Sequence, residues 1–158
     1  MKKKKTQMYS VPLLTCKVIK ERVVRFRSTS VDHADMAADM ARAFIGSADR
    51  ENMVAFFVDG KNDIVGVHTV AVGGMHAMCT TPREVFRAAL LTTAAGVILA
   101  HNHPSGDPLP SKEDKAFTHR CLLAGDLLGI PLLDHVIVTR DAHYSFMSDG
   151  QLTRSKRT

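Results

Sequence analysis

Cysteine is scarce in this chain, and its spacing excludes two classes of protein. The 158 residues include three cysteines, Cys16, Cys79 and Cys121, which lie far apart in the sequence. None belongs to a C-x-x-C pair, and an odd count does not suit a framework of paired disulfides. We therefore exclude a disulfide-rich scaffold and a cysteine-based zinc site, and we expect unreactive thiols.

Long hydrophobic runs, internal repeats and low-complexity segments are also missing. No apolar run approaches the roughly 20 residues that a helix needs to cross a bilayer. Residues 1–5 are basic, but residues 6–15 are too short and too mixed for the core of a signal peptide. We expect a cytoplasmic protein with no membrane partner, and the length suits one globular domain.

Acidic residues are nearly missing from the two ends of the chain. Residues 1–30 carry nine Lys/Arg and one acid, residues 31–150 carry nine Lys/Arg and fifteen acids, and residues 151–158 carry three Lys/Arg and no acid. We predict a basic arm (1–29) with a candidate edge strand at 16–26, a folded domain (30–150) and a basic tail (151–158). Basic ends either bind nucleic acid through phosphates or stay solvated, and these ends lack the interleaved aromatics that stack on bases.

Hydrophobic periodicity alternates between helical and strand patterns. Helices are predicted at residues 30–44, 82–95 and 111–129, and strands at 53–58, 64–72, 97–100, 131–138 and 143–147. An Asp-Gly turn joins the first two strands, and Thr81 with Glu84 suits a capping box at the second helix. This order predicts an α/β or α+β fold, with a mixed sheet flanked by helices.

Two histidines and an aspartate have a spacing that suits a metal site. His101 and His103 follow a predicted buried strand, and residues two apart on an extended chain point to the same face. Asp114 lies in the first turn of the next helix, after a loop with three prolines and a glycine. Two imidazoles and one carboxylate leave a fourth tetrahedral position for water, as in catalytic zinc sites.

Each of these residues also has a simpler interpretation. His-Asn-His could be a polar strand end, and Ser111 with Asp114 matches the S/T-x-x-D/E helix-capping pattern. Two histidines on one face, a loop locked by Pro and Gly, and an acid on the next helix are together better explained by a metal site.

The longer pattern resembles a known family. His-x-His, seven residues, Ser, two residues and Asp is the JAMM pattern, and it is met at His101, His103, Ser111 and Asp114. The segment A-H-N-H-P-S-G-D at 100–107, together with P-R-E-V-F at 82–86 and D-H-V-I-V at 134–138, resembles the RadC family of the JAB/MPN group. The resemblance implies a three-layer architecture of the cytidine-deaminase type and one Zn²⁺ per chain, held by the two histidines and the aspartate.

The resemblance also implies two catalytic roles. In JAMM enzymes a glutamate at the start of an upstream strand is the general acid/base, and the serine stabilises the oxyanion. Glu51 and Ser111 match those places. Glu84 is the rival base, although the capping box already accounts for it, so we favour Glu51.

The remaining histidines are weaker candidates. We expect His68, His76, His119 and His143 to be surface or packing residues. His135 either orients a metal ligand or packs in the core, and we favour packing.

The sequence leads to two functional hypotheses. The first is a zinc-dependent metallopeptidase or isopeptidase that acts on a protein or peptide. The alternative is a DNA-associated protein of RadC type, with a DNA-repair, mobile-element or metal-dependent nuclease function that uses the basic ends. The complete ligand set argues against a non-catalytic MPN scaffold, and the usual zinc deaminase signatures are absent. The sequence does not indicate an oligomeric state.

Overall fold

The computed structural model describes residues 11–46, 48–73 and 80–152. Predictions that concern residues 1–10, His76, Cys79 and residues 153–158 therefore lie outside the described residues. The described residues form three helices and five strands: α1 (Ala34–Ile45), β1 (Asn52–Val58), β2 (Ile64–Val72), α2 (Pro82–Ala89), β3 (Gly96–Asn102), α3 (Lys112–Leu128), β4 (Leu132–Val138) and β5 (His143–Ser145).

The strands form one mixed sheet in the order β2-β1-β3-β4-β5. β1 and β2 are antiparallel, as a short turn between them requires, and β1 is also antiparallel to β3. β3 and β4 are parallel, because α3 carries the chain back across the sheet between them. β3 thus lies in the middle of the sheet, and all seven of its residues are buried.

Helices cover both faces of the sheet, which gives three layers. In β1, Met53, Ala55 and Phe57 face the core under α2 and α3, whereas the residues between them face the core under α1. This alternation follows from the two-residue period of a strand. The mixed α/β class and the flanking helices are confirmed, and the architecture is consistent with the JAB/MPN fold.

The predicted edge strand at residues 16–26 is wrong. These residues pair with no strand of the described sheet, and Val18, Ile19 and Val23 are exposed. β-branched side chains favour a strand only where they pack on a half-buried pleated surface, and such a surface is missing here. The segment instead contacts the domain near its end, where Phe26 packs edge-on against Phe56.

α2 is shorter than predicted, and its capping box does not form. The side chain of Thr81 makes no capping hydrogen bond, and Glu84 pairs with arginines instead. After Ala89 the backbone turns more tightly, and the Thr92 hydroxyl donates to the Ala89 carbonyl oxygen at 2.8 Å. Such a side-chain bond competes with the helical pattern and ends α2 near residue 89 rather than residue 95.

The other end of the domain is anchored by Leu152, which is buried in the core under α2 and α3. None of the helices that the described residues form is long and apolar enough to cross a membrane.

Candidate metal centre

β3 carries the two histidines of the cluster. His101 is the sixth residue of this central strand and is paired with Met53 of β1 and Ile137 of β4. His103 follows the strand, and its backbone N–H donates to the Val138 carbonyl oxygen at 2.9 Å. The backbone of both histidines is therefore held by neighbouring strands, and their rings lie on the same face of the sheet.

Asp114 reaches the same point from the start of α3. Ser111 is the N-cap: its hydroxyl accepts from the Asp114 backbone N–H at 3.1 Å, and its backbone N–H donates to Asp114 Oδ2 at 2.8 Å. The Ser111 hydroxyl also donates to Asp114 Oδ2, at 2.7 Å. The capping and metal interpretations of Ser111 and Asp114 are thus compatible, because the cap fixes the carboxylate that faces the histidines.

The spacing of the three donor groups fits a metal ion. His101 Nε2 lies 3.0 Å from His103 Nε2 and 3.2 Å from Asp114 Oδ1, and His103 Nε2 lies 3.5 Å from Asp114 Oδ2. Ligands at zinc distances of about 2.0–2.1 Å in a tetrahedron are about 3.3 Å apart. Within the described part of the chain, no fourth histidine, cysteine or carboxylate joins this group. The cluster could hold a metal ion with three protein ligands.

Burial gives the cluster an unusual electrostatic balance. Burial alone would raise the pKa of the Asp114 carboxyl, but hydrogen bonds from His101, His103 and Ser111 hold that pKa well below its ordinary value. The hydrogen bond with Asp114 raises the pKa of His103 against the effect of its partial burial. A carboxylate that stays charged while 2% exposed is a donor suited to a cation.

Backbone and side-chain partners orient both imidazoles. His103 Nδ1 lies 2.8 Å from the Asp107 backbone carbonyl oxygen. A carbonyl oxygen can only accept a hydrogen bond, so the nitrogen must be the donor. His103 Nδ1 therefore carries a proton, which leaves Nε2 as the nitrogen that could offer a lone pair to an ion. His101 Nδ1 lies 2.8 Å from His135 Nε2 in the same way, on the side away from the cluster.

His135 packs in the core, as we favoured from the sequence, and its contact with His101 Nδ1 also fits the alternative that it orients a neighbouring ring. It is fully buried and stacks on Phe146, with ring centroids 5.1 Å apart. Its second nitrogen, Nδ1, lies 2.6 Å from the hydroxyl of Thr118 on α3. Sequence reasoning missed Thr118 entirely, although it lies four residues after Asp114, on the same face of a helix.

Asn102, between the two histidines, points to the opposite face and holds the segment before β1. Its Oδ1 accepts from the Asn52 backbone N–H at 2.7 Å, and its Nδ2 donates to the carbonyl oxygens of Arg50 at 2.9 Å and Ala48 at 3.4 Å. These bonds bracket Glu51 on both sides. The sequence offered a signal for this role, since a buried amide between two ligand candidates needs partners of its own.

The structure separates the two candidate general bases. The charge of Glu51 acts on His103 of the cluster, whereas that of Glu84 acts on His68. Glu84 is also engaged by Arg87, whose Nη2 lies 3.1 Å from Oε2. Of the two candidates, Glu51 is therefore the glutamate whose charge acts on the cluster.

Fold and cluster together define the class of this protein: a JAB-type α/β domain whose buried His-His-Asp group could hold a metal ion. A family model described as the RadC-like JAB domain matches residues 31–152, and the chain belongs to this family. The resemblance inferred from the sequence is thereby confirmed.

The relatives carry a family name that does not specify an activity. A UPF0758 protein from Thermotoga maritima is 46% identical over 104 residues, which are 66% of this chain and 47% of the relative. A UPF0758 protein from Methanococcoides burtonii is 42% identical over 104 residues, 66% of this chain and 45% of the relative. A third, from Syntrophomonas wolfei, is 38% identical over 119 residues, 75% of this chain and 51% of the relative. The chain spans about half the length of the curated relatives it matches.

Proposed function

We propose that this chain is a zinc-dependent hydrolase that cleaves peptide or isopeptide bonds, with one Zn²⁺ held by His101, His103 and Asp114. The observation that carries the proposal is the convergence of these three donors within 4.8 Å of one another. Three protein ligands leave an open position, which distinguishes catalytic from structural zinc sites. Bound zinc would supply Lewis acidity, which lowers the pKa of a coordinated water to about 7.

The residues around the cluster would then have separate roles in the reaction. Glu51 takes the proton of the attacking water and delivers it to the leaving amine; of the two candidate glutamates, it is the one whose charge contributes to raising the pKa of His103. The Ser111 hydroxyl, which donates its single proton to Asp114 Oδ2 in the structure, would turn that proton to the oxygen of the scissile carbonyl as negative charge develops there. His103 donates its Nδ1–H to the Asp107 backbone carbonyl oxygen, so its Nε2 would be the nitrogen that binds the ion.

Metal analysis and turnover test these roles separately. We expect the wild type to bind one Zn²⁺ per chain and His103→Ala to lose it; equal zinc in both proteins would contradict the proposal. Glu51→Gln should keep the metal and lose hydrolysis by about 10²- to 10⁴-fold, the range for a general acid/base.

Glu84→Gln is the matched control, with the same chemical change at the rival glutamate, and it should keep turnover within about twofold. A loss at Glu84 with full turnover at Glu51 would reverse the assignment. Because the substrate is unidentified, turnover is screened on isopeptide-linked proteins, peptides and DNA together.

The basic N-terminal arm favours a second candidate function, DNA association. Lys17, Lys20, Arg25 and Arg27 are all exposed on a segment that forms neither helix nor strand. Phosphate contacts by such residues would release counterions, so binding would weaken steeply with salt. Deleting residues 2–5 should lower the magnitude of the salt slope by up to about 4 if all four lysines contact phosphates. An unchanged slope would leave residues 2–5 without a role in DNA binding.

A further inference from the structure

We propose that His135 and Thr118 are positioning residues for the metal site, which hold His101 in the tautomer whose Nε2 lone pair faces the ion. This inference rests on the metal-binding part of the proposed function and extends it to two residues that do not touch the ion. It is carried by a continuous series of short hydrogen bonds from His101 through His135 and Thr118 to the backbone of Asp114.

This series of hydrogen bonds ends at the backbone carbonyl oxygen of Asp114, which can only accept a hydrogen bond. Thr118 Oγ1 lies 2.7 Å from the backbone carbonyl oxygen of Asp114, to which it donates its single proton. The hydroxyl can then only accept from His135 Nδ1, 2.6 Å away on its other side. His135 therefore carries its proton on Nδ1 and has a lone pair on Nε2.

The same counting fixes the tautomer of His101. His135 Nε2, with no proton, accepts from His101 Nδ1–H across 2.8 Å. A neutral imidazole with a proton on Nδ1 has its lone pair on Nε2. That nitrogen is the one that lies 3.2 Å from Asp114 Oδ1 in the cluster.

If the hydrogen bonds ran in the opposite direction, His101 could not bind the ion. If the Thr118 hydroxyl donated to His135 Nδ1, each histidine would carry its proton on Nε2, and His101 would point an N–H at the ion. The partners of His135 cannot be replaced by water, because His101 and His135 are 1% and 0% exposed. Stacking on Phe146, with 9° between the ring planes, keeps the His135 ring in place.

Thr118→Val tests the inference with nearly constant shape. Valine removes the acceptor for His135 Nδ1–H and so favours the wrong tautomer, whereas Thr118→Ser keeps the hydroxyl and is the matched control. In the full chain, with a chromophoric chelator competing for Zn²⁺, we expect Thr118→Val to lower zinc affinity about 10- to 100-fold and Thr118→Ser to stay within about threefold. Equal affinity of the wild type and a folded Thr118→Val would overturn the proposal.

A measurement on the wild type keeps the inference testable if Thr118→Val does not fold. ¹⁵N–¹H correlation spectra of the imidazole rings of the zinc-loaded chain should show His135 protonated on Nδ1 and not on Nε2. A proton on Nε2 and none on Nδ1 of His135 would refute the proposed tautomers. Absence of zinc binding by the wild type would instead contradict the proposed function, so the two failures are distinguishable.

Discussion

Asn102→Ala is expected to release the segment that carries Glu51 while leaving the metal ligands in place. The substitution removes two short hydrogen bonds, to Asn52 N–H at 2.7 Å and to the Arg50 carbonyl oxygen at 2.9 Å, and a longer one of 3.4 Å. The backbone of His101 and His103 stays paired with the neighbouring strands, so the ligands keep their positions.

The magnitude follows from the number of bonds lost. A neutral intramolecular hydrogen bond contributes about 0.5–1.5 kcal/mol, and a buried partner left without one adds to the cost, so the variant should lose about 2–3 kcal/mol of unfolding free energy. A local opening made easier by about 2 kcal/mol raises the exchange rate of the Asn52 amide about 30-fold. Zinc affinity should stay within about threefold of the wild type.

Hydrogen exchange at Asn52, denaturant unfolding and zinc competition are measured on the same protein. Asn52→Ala is the matched control, because its buried Oδ1 has no hydrogen-bond partner among the described residues and its backbone N–H is retained. We expect this control to cost clearly less than Asn102→Ala. Unchanged protection of the Asn52 amide in Asn102→Ala, or a large parallel loss of zinc affinity, would refute the reasoning.

Three further predictions concern Gly125 and Cys121 of α3 and the exposed Cys16. Gly125→Ala should destabilise the fold by about 1–3 kcal/mol in urea unfolding, because the added Cβ would lie 2.7 Å from the Ile130 carbonyl oxygen, and unchanged stability would show that this turn can move. Burial raises the pKa of the Cys121 thiol from 9.0 to about 12, so its contribution to stability is complete below about pH 9 and is lost as the pH rises toward 12. Cys121→Ala should therefore flatten the decline of unfolding free energy above pH 9, and equal slopes in both proteins would contradict this. The exposed Cys16 should be alkylated in the folded state and Cys121 should not, as peptide mass spectrometry would reveal.

Local sequence patterns predicted most elements well because their physical causes are local. β2 was predicted with its observed bounds, since a polar Asp-Gly turn and a glycine pair enclose its apolar run. α3 begins after Ser111 and ends at Gly129, which adopts the left-handed conformation of a C-cap. The strand predicted at residues 16–26 of the arm does not form, because β-branched residues specify a strand only when another strand is available to pair with them.

The candidate metal ligands were accessible from sequence for a related reason. His101, His103 and Asp114 are close in the chain, and the strand and helix periods fix the direction of their side chains. The predicted roles of Glu51 and Ser111, zinc as the metal, the cytoplasmic location and the three-part domain division stay predictions.

Tertiary structure alone decided which distant groups complete the site. His135 is 34 residues from His101, and only the parallel pairing of β3 with β4 brings their rings within 2.8 Å. Likewise, Asn102 reaches the Glu51 segment because β1 lies beside β3, and Glu84 on α2 pairs with Arg87. The sequence by itself determined the three members of the cluster and the elements that carry them, because those depend on short-range periodicity. The hydrogen-bonded supports depend on which strands and helices pack together, and that is set by the burial of the whole core rather than by any local pattern.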